Sequence, residues 1–374
     1  MVSGFYVTTP IYYVNAEPHL GHAYTTIVGD ALSRWHRLLG DDVMYLTGTD
    51  EHGLKIRQAA DAAGQTPQAF CDTIAPKFAD AWTRLNITND DFIRTTEPRH
   101  YAAVKELLQR CYDAGDIELD TYSGKYCVAC EEYFTDEELL DGGVCPIHKR
   151  PVDHFEEENY FFRLSRFQDR LLKWYDEHPG VIKPEFRGNE ALGLIRGGLR
   201  DFSVSRTSLD WGIPLPWDER HVAYVWFDAL TNYLSATGFG DPSVDYTDRW
   251  PVDYHLIGKD IIRHHCVYWP AMVMSAGVDL PKGWAVGGWL LVDGEKMAKS
   301  TGNVVNPLDL IDVVGVDGFR YYVLAETSYG SDGDFSFEGL VGRYNSDLAN
   351  NFGNLAARVA TVVGKKCDGV GPAP

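Results

Sequence analysis

Apolar positions along this chain change their period in a way that alternates strands with helices. Gly4 to Tyr13 (GFYVTTPIYY) is rich in β-branched and aromatic side chains and reads as a buried strand. Val14 to Pro18 breaks that run. From His19 to Leu39 the spacing becomes helical, with Leu20, Ala23, Ile27, Ala31, Leu32 and Trp35 recurring mostly three or four residues apart, and Gly40 stands at the helix stop. Val43 to Leu46 reads as a parallel strand, and Trp289 to Val292 as another that ends in the turn signal Asp293-Gly294. Such alternation predicts an α/β fold around a parallel sheet.

Chemistry then attaches to two segments of that pattern. His19-Leu20-Gly21-His22 sits at the mouth of the first helix, directly after the first strand. In open α/β sheets nucleotides lie there, because backbone N–H groups and the helix dipole favour anions, and Gly21 lets a flat base approach the backbone. Far downstream, Lys296-Met297-Ala298-Lys299-Ser300 lies in a glycine-bracketed stretch short of apolar residues, which predicts an exposed, mobile loop. Two ammonium groups there can close on a triphosphate as charge builds at the α-phosphorus. Each segment alone has a plainer reading: histidines that cap a helix, and a solvated basic turn.

Composition narrows the class. The 374 residues are 45% hydrophobic, enough for several domains with sizeable cores. No apolar run approaches the roughly 18 to 20 residues of a membrane span, and the N-terminus lacks a leader pattern. A net charge of −20 argues against broad nucleic-acid affinity, while the 34 Lys and Arg leave room for a local basic surface. The seven cysteines, an odd number, point to a reducing, cytoplasmic compartment. Cys127-Val-Ala-Cys130 and Cys145-Pro-Ile-His148 form two ligand pairs separated by 14 residues. Such knuckles converge on tetrahedral Zn²⁺, and four protein ligands leave no open position, so the metal reads as structural. A disulfide is the alternative for the cysteines, but it leaves His148 without a part. Cys71, Cys111, Cys266 and Cys367 lack partners at useful spacing and read as buried thiols.

FYVTTPIYYVNAEPHLGH, LTGTDEHG, YCVAC…CPIH, WGIPLPW, VWFDAL, HLIGKDI and KMAKS occur in an order that resembles the methionyl-tRNA synthetases, in their bacterial form with a single zinc knuckle. The likeness runs over nearly the whole chain. Ala298 departs from it, standing where most members carry serine, and Leu230 stands where some carry proline. The resemblance implies a Rossmann-type catalytic domain in two halves, 1–114 and 219–288, split by a zinc-bearing connective insertion at 115–218. Strands near His221–Trp226 and Tyr254–Ile257 and a helix from Ile261 to Ser275 are expected in the second half. A linking region with the lysine loop (289–336) and the start of an α-helical anticodon-binding bundle (337–374) follow, with Leu340 to Val363 as its first helix.

The same resemblance implies roles. His19 and His22 hold phosphate oxygens of ATP, Gly21 lies beneath adenine, Gly258 permits close approach and Asp260 accepts from ribose. Lys296 and Lys299 clamp the leaving pyrophosphate. Asp50 accepts the methionine ammonium, and Ile11, Tyr13, Trp226, Ala229, Leu230, Tyr233, Ile261 and His265 wall the thioether slot, with Tyr13 and His265 near sulfur. Without it, Asp50 could be a turn residue, Trp226, Tyr233 and Ile261 plain core, and His265 a satisfied core histidine. Mg²⁺ is expected with ATP, and ATP, methionine and methionine tRNA as partners. A monomer with no membrane association is expected. Rival classes are an HxGH nucleotidylyltransferase, a non-catalytic tRNA-binding paralogue, and a synthetase for cysteine or leucine.

Overall fold

The computed structural model describes residues 4–127, 132–134, 139–147, 149–292, 294–297 and 302–371. The first strand is broken rather than continuous. β1 (Gly4–Thr8) pairs with residues 42–46 of the third strand, and β2 (Tyr12–Tyr13) with residues 49–50 of it. Pro10, which has no N–H to give a ladder, lies in the gap. α1 (Leu20–Leu39) follows, then β3 (Asp42–Asp50), α2 (Leu54–Ala62), α3 (Pro67–Arg84), β4 (Asp91–Arg94) and α4 (Pro98–Asp113). β3 runs past Leu46, so Asp50 is its last residue instead of lying beyond it. Gly48 is obligatory in this strand: a Cβ there would come within 2.1 Å of the Ile93 carbonyl oxygen on β4.

Between β4 and the later strands of the main parallel sheet, β5 (Ile117–Cys127), β6 (Glu132–Phe134) and β7 (Asp153–Phe162) form an antiparallel sheet. α5 (Gln168–Glu177), β8 (Ile182–Lys183) and α6 (Glu185–Arg196) follow, then β9 (Phe202–Ser203), which joins β7, and β10 (Ser205–Arg206). β8 pairs in parallel with a later strand of the main sheet, so the span 115–218 contributes both a separate sheet and an edge of the main one. The strand expected over His221–Trp226 is reduced to β11 (Val222–Ala223), paired antiparallel with β10 outside the main sheet. Trp226 sits instead on α7 (Val225–Leu230), followed by α8 (Asn232–Ser235).

β12 (Tyr254–Gly258) and β13 (Trp284–Gly287) complete a seven-stranded parallel sheet in the order β2-β3-β1-β12-β13-β8, with β4 beside β3. The helix expected from Ile261 to Ser275 is not uniform. A π-helical turn spans His264–Tyr268 before α9 (Trp269–Ser275). Pro270 lacks the N–H that an α-helix would send back to Cys266, and the Cys266 carbonyl accepts from the Tyr175 hydroxyl at 2.6 Å instead. β14 (Leu290–Val292), β15 (Glu295–Lys296) and β16 (Gly333–Phe335) make a small sheet, with α10 (Pro307–Ala325) in between. The chain then runs helically through α11 (Phe337–Arg343), a π-helical stretch Tyr344–Gly353, and α12 (Asn354–Lys366).

Side chains of one face of the main sheet and the helices on it, among them Tyr6, Leu46, Phe162, Phe227, Trp269 and Trp284, make the main core, while Phe5, Val7, Val43, Tyr45 and Leu256 of the other face form a smaller one. α1 turns Leu20, Ala23, Tyr24 and Ile27 into a third. Trp35, Leu38 and Leu39 of the same helix are exposed, so its apolar pattern is only partly a core face. Cys71, Cys111 and Cys266 are buried as expected, but Cys367, beyond the end of α12, is exposed. Among the described residues, no helix is long and apolar enough to cross a membrane.

Candidate active site

One cleft of about 880 Å³ opens at the C-terminal ends of β1, β3 and β12, where parallel strands leave backbone groups and loops to meet a ligand. His19, Gly21 and His22 line it together with Lys296 and Met297. Ile11, Tyr13, Asp50, Trp226, Ala229, Leu230, Tyr233, Gly258, Asp260, Ile261 and His265 line it too. Every candidate ligand-binding residue that falls within the described region is therefore in one place. Lys299, Ala298, Cys130 and His148 lie outside the described residues.

His19 caps α1 with its own ring. Its Nδ1 accepts from the Gly21 N–H at 3.1 Å, while His22 Nδ1 accepts from the His19 N–H at 3.2 Å, a reciprocal capping box made of imidazoles. Both Nδ1 atoms are acceptors, so each neutral ring carries its proton on Nε2. The rings stack 3.7 Å apart. Burial, and next the Lys296 ammonium, hold His19 down at about 4; burial, and next His19, hold His22 well below its ordinary value. The first-turn amides are otherwise engaged: Leu20 N–H donates to the Val305 carbonyl at 2.9 Å and His22 N–H to the His19 carbonyl. The bare amides expected at a helix mouth are therefore engaged, and each neutral ring keeps its N–H on Nε2. Gly21 serves the ring fold, since a Cβ would lie 3.1 Å from His19 Cε1 and 3.5 Å from Met297 Cε.

Lys296 approaches from β15. Its ammonium sits 3.1 Å from Asp260 Oδ2 and 4.2 Å from the Trp289 ring centroid. Lys259 covers the same indole at 4.0 Å and pairs with Asp332 at 2.7 Å. Asp260 is thus shared between the cleft and the basic loop. Gly258 keeps it there: a Cβ would fall 2.6 Å from Asp260 Oδ1.

The apolar end of the cleft is organised around His265. Its Nδ1–H donates to the Ile261 carbonyl at 3.1 Å, so Nε2 accepts from the Tyr233 hydroxyl at 2.7 Å. Burial holds this imidazole at about 4. With both nitrogens engaged, His265 offers a ligand its ring edge and not an N–H. Trp226 stacks on His264 at 3.7 Å, and the Tyr13 ring lies 4.8 Å under the Lys55 ammonium. Asp50 is buried at the end of β3, and its carbonyl accepts from the Val14 N–H at 3.3 Å. Asn15, Thr25, Lys55, Trp289, Met297 and Asn306 also line the cleft, and pattern reading missed them. Asn15, Thr25, Trp289 and Met297 each lie within a segment already singled out, whereas Lys55 and Asn306 lie in none.

The chain matches the model of a family described as tRNA synthetases class I (M) over residues 5–154 and 145–360. It is 51% identical to the methionine–tRNA ligase of Streptomyces coelicolor over 99% of its length, covering 70% of that protein. It is likewise 51% identical to the Thermotoga maritima ligase, of which it spans only 59%. The chain belongs to the methionyl class I tRNA synthetases. The solved Mycobacterium tuberculosis methionyl-tRNA synthetase in complex with methionyl-adenylate superposes with a TM-score of 0.94 at 49% identity, covering all of this chain and 74% of that one. The free form of that synthetase gives 0.86. The α/β parallel-sheet architecture is thereby the class I synthetase fold, and the cleft lies where that fold places its strand ends.

Proposed function

We propose that this chain activates methionine with ATP to give methionyl-adenylate and pyrophosphate, and passes the methionyl group to the 3′ end of methionine tRNA. What carries this reading is the convergence of the imidazole pair and Lys296 on the cleft that also holds Asp50 and the aromatic wall. The two halves of the cleft differ in chemistry. One offers cations and Nε2–H donors suited to phosphates, and the other offers apolar rings and one buried carboxylate suited to an amino acid with a soft, uncharged side chain.

In the proposed reaction the methionine carboxylate, already ionised, attacks the α-phosphorus in line, so no general base is required. Asp50 accepts the ammonium and fixes the amino acid's orientation. His19 and His22, neutral and protonated on Nε2, stabilise phosphate oxygens without an added charge. Lys296 leaves Asp260 to meet the pyrophosphate, freeing that carboxylate for the ribose hydroxyls, and Lys299 is assigned the partner clamp. Positioning and charge stabilisation supply the rate. Mg²⁺ accompanies ATP. The 115–218 span is assigned to the connective insertion, with Cys127, Cys130, Cys145 and His148 as ligands of one structural zinc. Cys127 and Cys145 are both buried in one small cluster with Phe134, and their thiols are free of any disulfide, which fits that donor set. Among the described residues no group of three or more ligating side chains assembles, as two of the four lie outside them. The compartment that suits these free thiols is the cytoplasm.

Amino-acid-dependent ATP–pyrophosphate exchange across a panel of amino acids tests the reading. Exchange with methionine alone is expected. Exchange with cysteine or leucine but not methionine would overturn it.

A further inference from the structure

Asp228 lies on α7 with its carboxylate fully buried, on the side of the helix away from the cleft that Trp226, Ala229 and Leu230 line. Each of its oxygens meets a different imidazole. Oδ2 lies 2.7 Å from His52 Nδ1 and Oδ1 2.7 Å from His100 Nε2. His52 is two residues past Asp50, in the loop that leaves β3, and its Nε2 lies 3.1 Å from the Tyr101 hydroxyl. His100 stands in the first turn of α4 and reaches the Ser235 hydroxyl at 2.9 Å with its other nitrogen. All three members are at most 1% exposed. Burial works to raise the Asp228 carboxyl, but His52 and His100 outweigh it and hold it at about 2, so the carboxylate is ionised and both rings donate to it.

A buried carboxylate with two converging donors is costly unless both are present, and this one touches no part of the cleft. What it joins is informative. The loop of His52 leaves β3 directly after Asp50, which is assigned the amino acid's ammonium, and α7 carries the wall assigned to its side chain. These elements belong to different halves of the sheet, and the carboxylate is a direct polar link between them. We infer that Asp228 is a positioning residue for methionine: through His52 and His100 it sets the spacing between Asp50 and the α7 wall. This rests on the function proposed above. The imidazole pair on α1 and Lys296 on β15 make no contact with the triad, so ATP binding should be indifferent to it.

Pyrophosphate exchange by the full chain separates the possibilities. Asp228→Asn places an amide against one imidazole N–H and should raise the methionine KM about tenfold or more, with the ATP KM within about twofold. His52→Leu should do the same. His52→Asn, whose side-chain N–H can occupy the Nδ1 position, should keep the methionine KM within about threefold of the parent. The His52 pair decides the matter if Asp228→Asn does not fold. An unchanged methionine KM in Asp228→Asn or His52→Leu overturns the inference, as does an ATP KM rising in step with it, which is the mark of general loosening. Parent enzyme silent with methionine but active with another amino acid would instead sink the functional reading.

Discussion

His19 does two jobs with two nitrogens, and they can be separated. Nδ1 caps α1 by accepting from the Gly21 N–H, which leaves the ring proton on Nε2, the nitrogen proposed to meet phosphate oxygens. An asparagine can place its side-chain oxygen where Nδ1 sits but has nothing at the Nε2 position. His19→Asn should therefore unfold within about 0.5 kcal/mol of the parent yet lose about 10²-fold or more in adenylation kcat. His19→Ala should lose the same activity and about 1 kcal/mol of stability as well. Urea unfolding and pyrophosphate exchange on the two variants provide the check, and equal activity of His19→Asn and parent would remove the histidine from the chemistry. At this scale the sequence showed which residues to name but not how they bond. The HLGH spacing marked a helix mouth, yet the engagement of the first-turn amides needed coordinates, because Val305 approaches Leu20 from the far end of the chain. His265 was legible as a wall residue, whereas its commitment to Ile261 and Tyr233 depends on the π turn around it.

Between elements, the strongest polar staple is Asp30 on α1. Its buried carboxylate accepts from Arg34 at 2.7 Å, from Arg320 of α10, and from the Thr88 N–H and hydroxyl, each at 2.6 Å. Burial works to raise this carboxyl, but the Thr88 and arginine contacts prevail and hold it below the usual range. The staple fastens the helix that bears His19 and His22 to the helix that follows the lysine loop. Asp30→Ala leaves the largely buried Arg320 with only the Leu85 and Asn86 carbonyls and no carboxylate, and should cost about 3 kcal/mol, read as a lower urea midpoint. A loss below about 1 kcal/mol would mean that solvent replaces the carboxylate. Element identity was largely readable: β3 and α1 met the periodic pattern, and β12 and the helical run that includes Leu340–Val363 met what the resemblance implies. The failures have local causes. Pro10 splits the first strand, Pro270 forces the π turn, and VWFDAL, apolar enough for a strand, turns helical because Trp226, Ala229 and Leu230 face the cleft while Phe227 and Asp228 face inward.

For the molecule as a whole, the zinc assignment predicts one Zn²⁺ per chain by atomic emission, lost in Cys145→Ser together with protease resistance of the 115–218 span. A metal-free parent, or a Cys145→Ser protein that retains its zinc, would contradict it. The titration of the fold gives a second global test. His19, His22, His255, His264 and His265 are all held below 6.5, with burial the largest cause in each. A histidine kept neutral in the fold but free to charge when unfolded makes the unfolded state bind more protons. Its stabilising contribution is complete above 6.5 and is lost as pH falls through the window down to its folded value, about 4 for His19 and His265. Within that window each such group steepens the dependence by up to about 1.4 kcal/mol per pH unit. The upper side is set by buried thiols and phenols. Cys71, Cys111 and Cys266 are pushed above 9.0, and Tyr12, Tyr24 and Tyr101 to about 12, burial being the first cause throughout. Here the unfolded chain releases protons that the fold retains, so stability declines as pH rises beyond the thiol value. The expected profile is a plateau between about pH 6.5 and pH 9, a steep acid limb and a gentler alkaline one. Urea midpoints at pH 5, 7.5 and 10 measure it, and a midpoint at pH 5 equal to that at pH 7.5 would show the histidines already protonated in the fold, removing the neutral Nε2–H donors on which the phosphate half of the site depends.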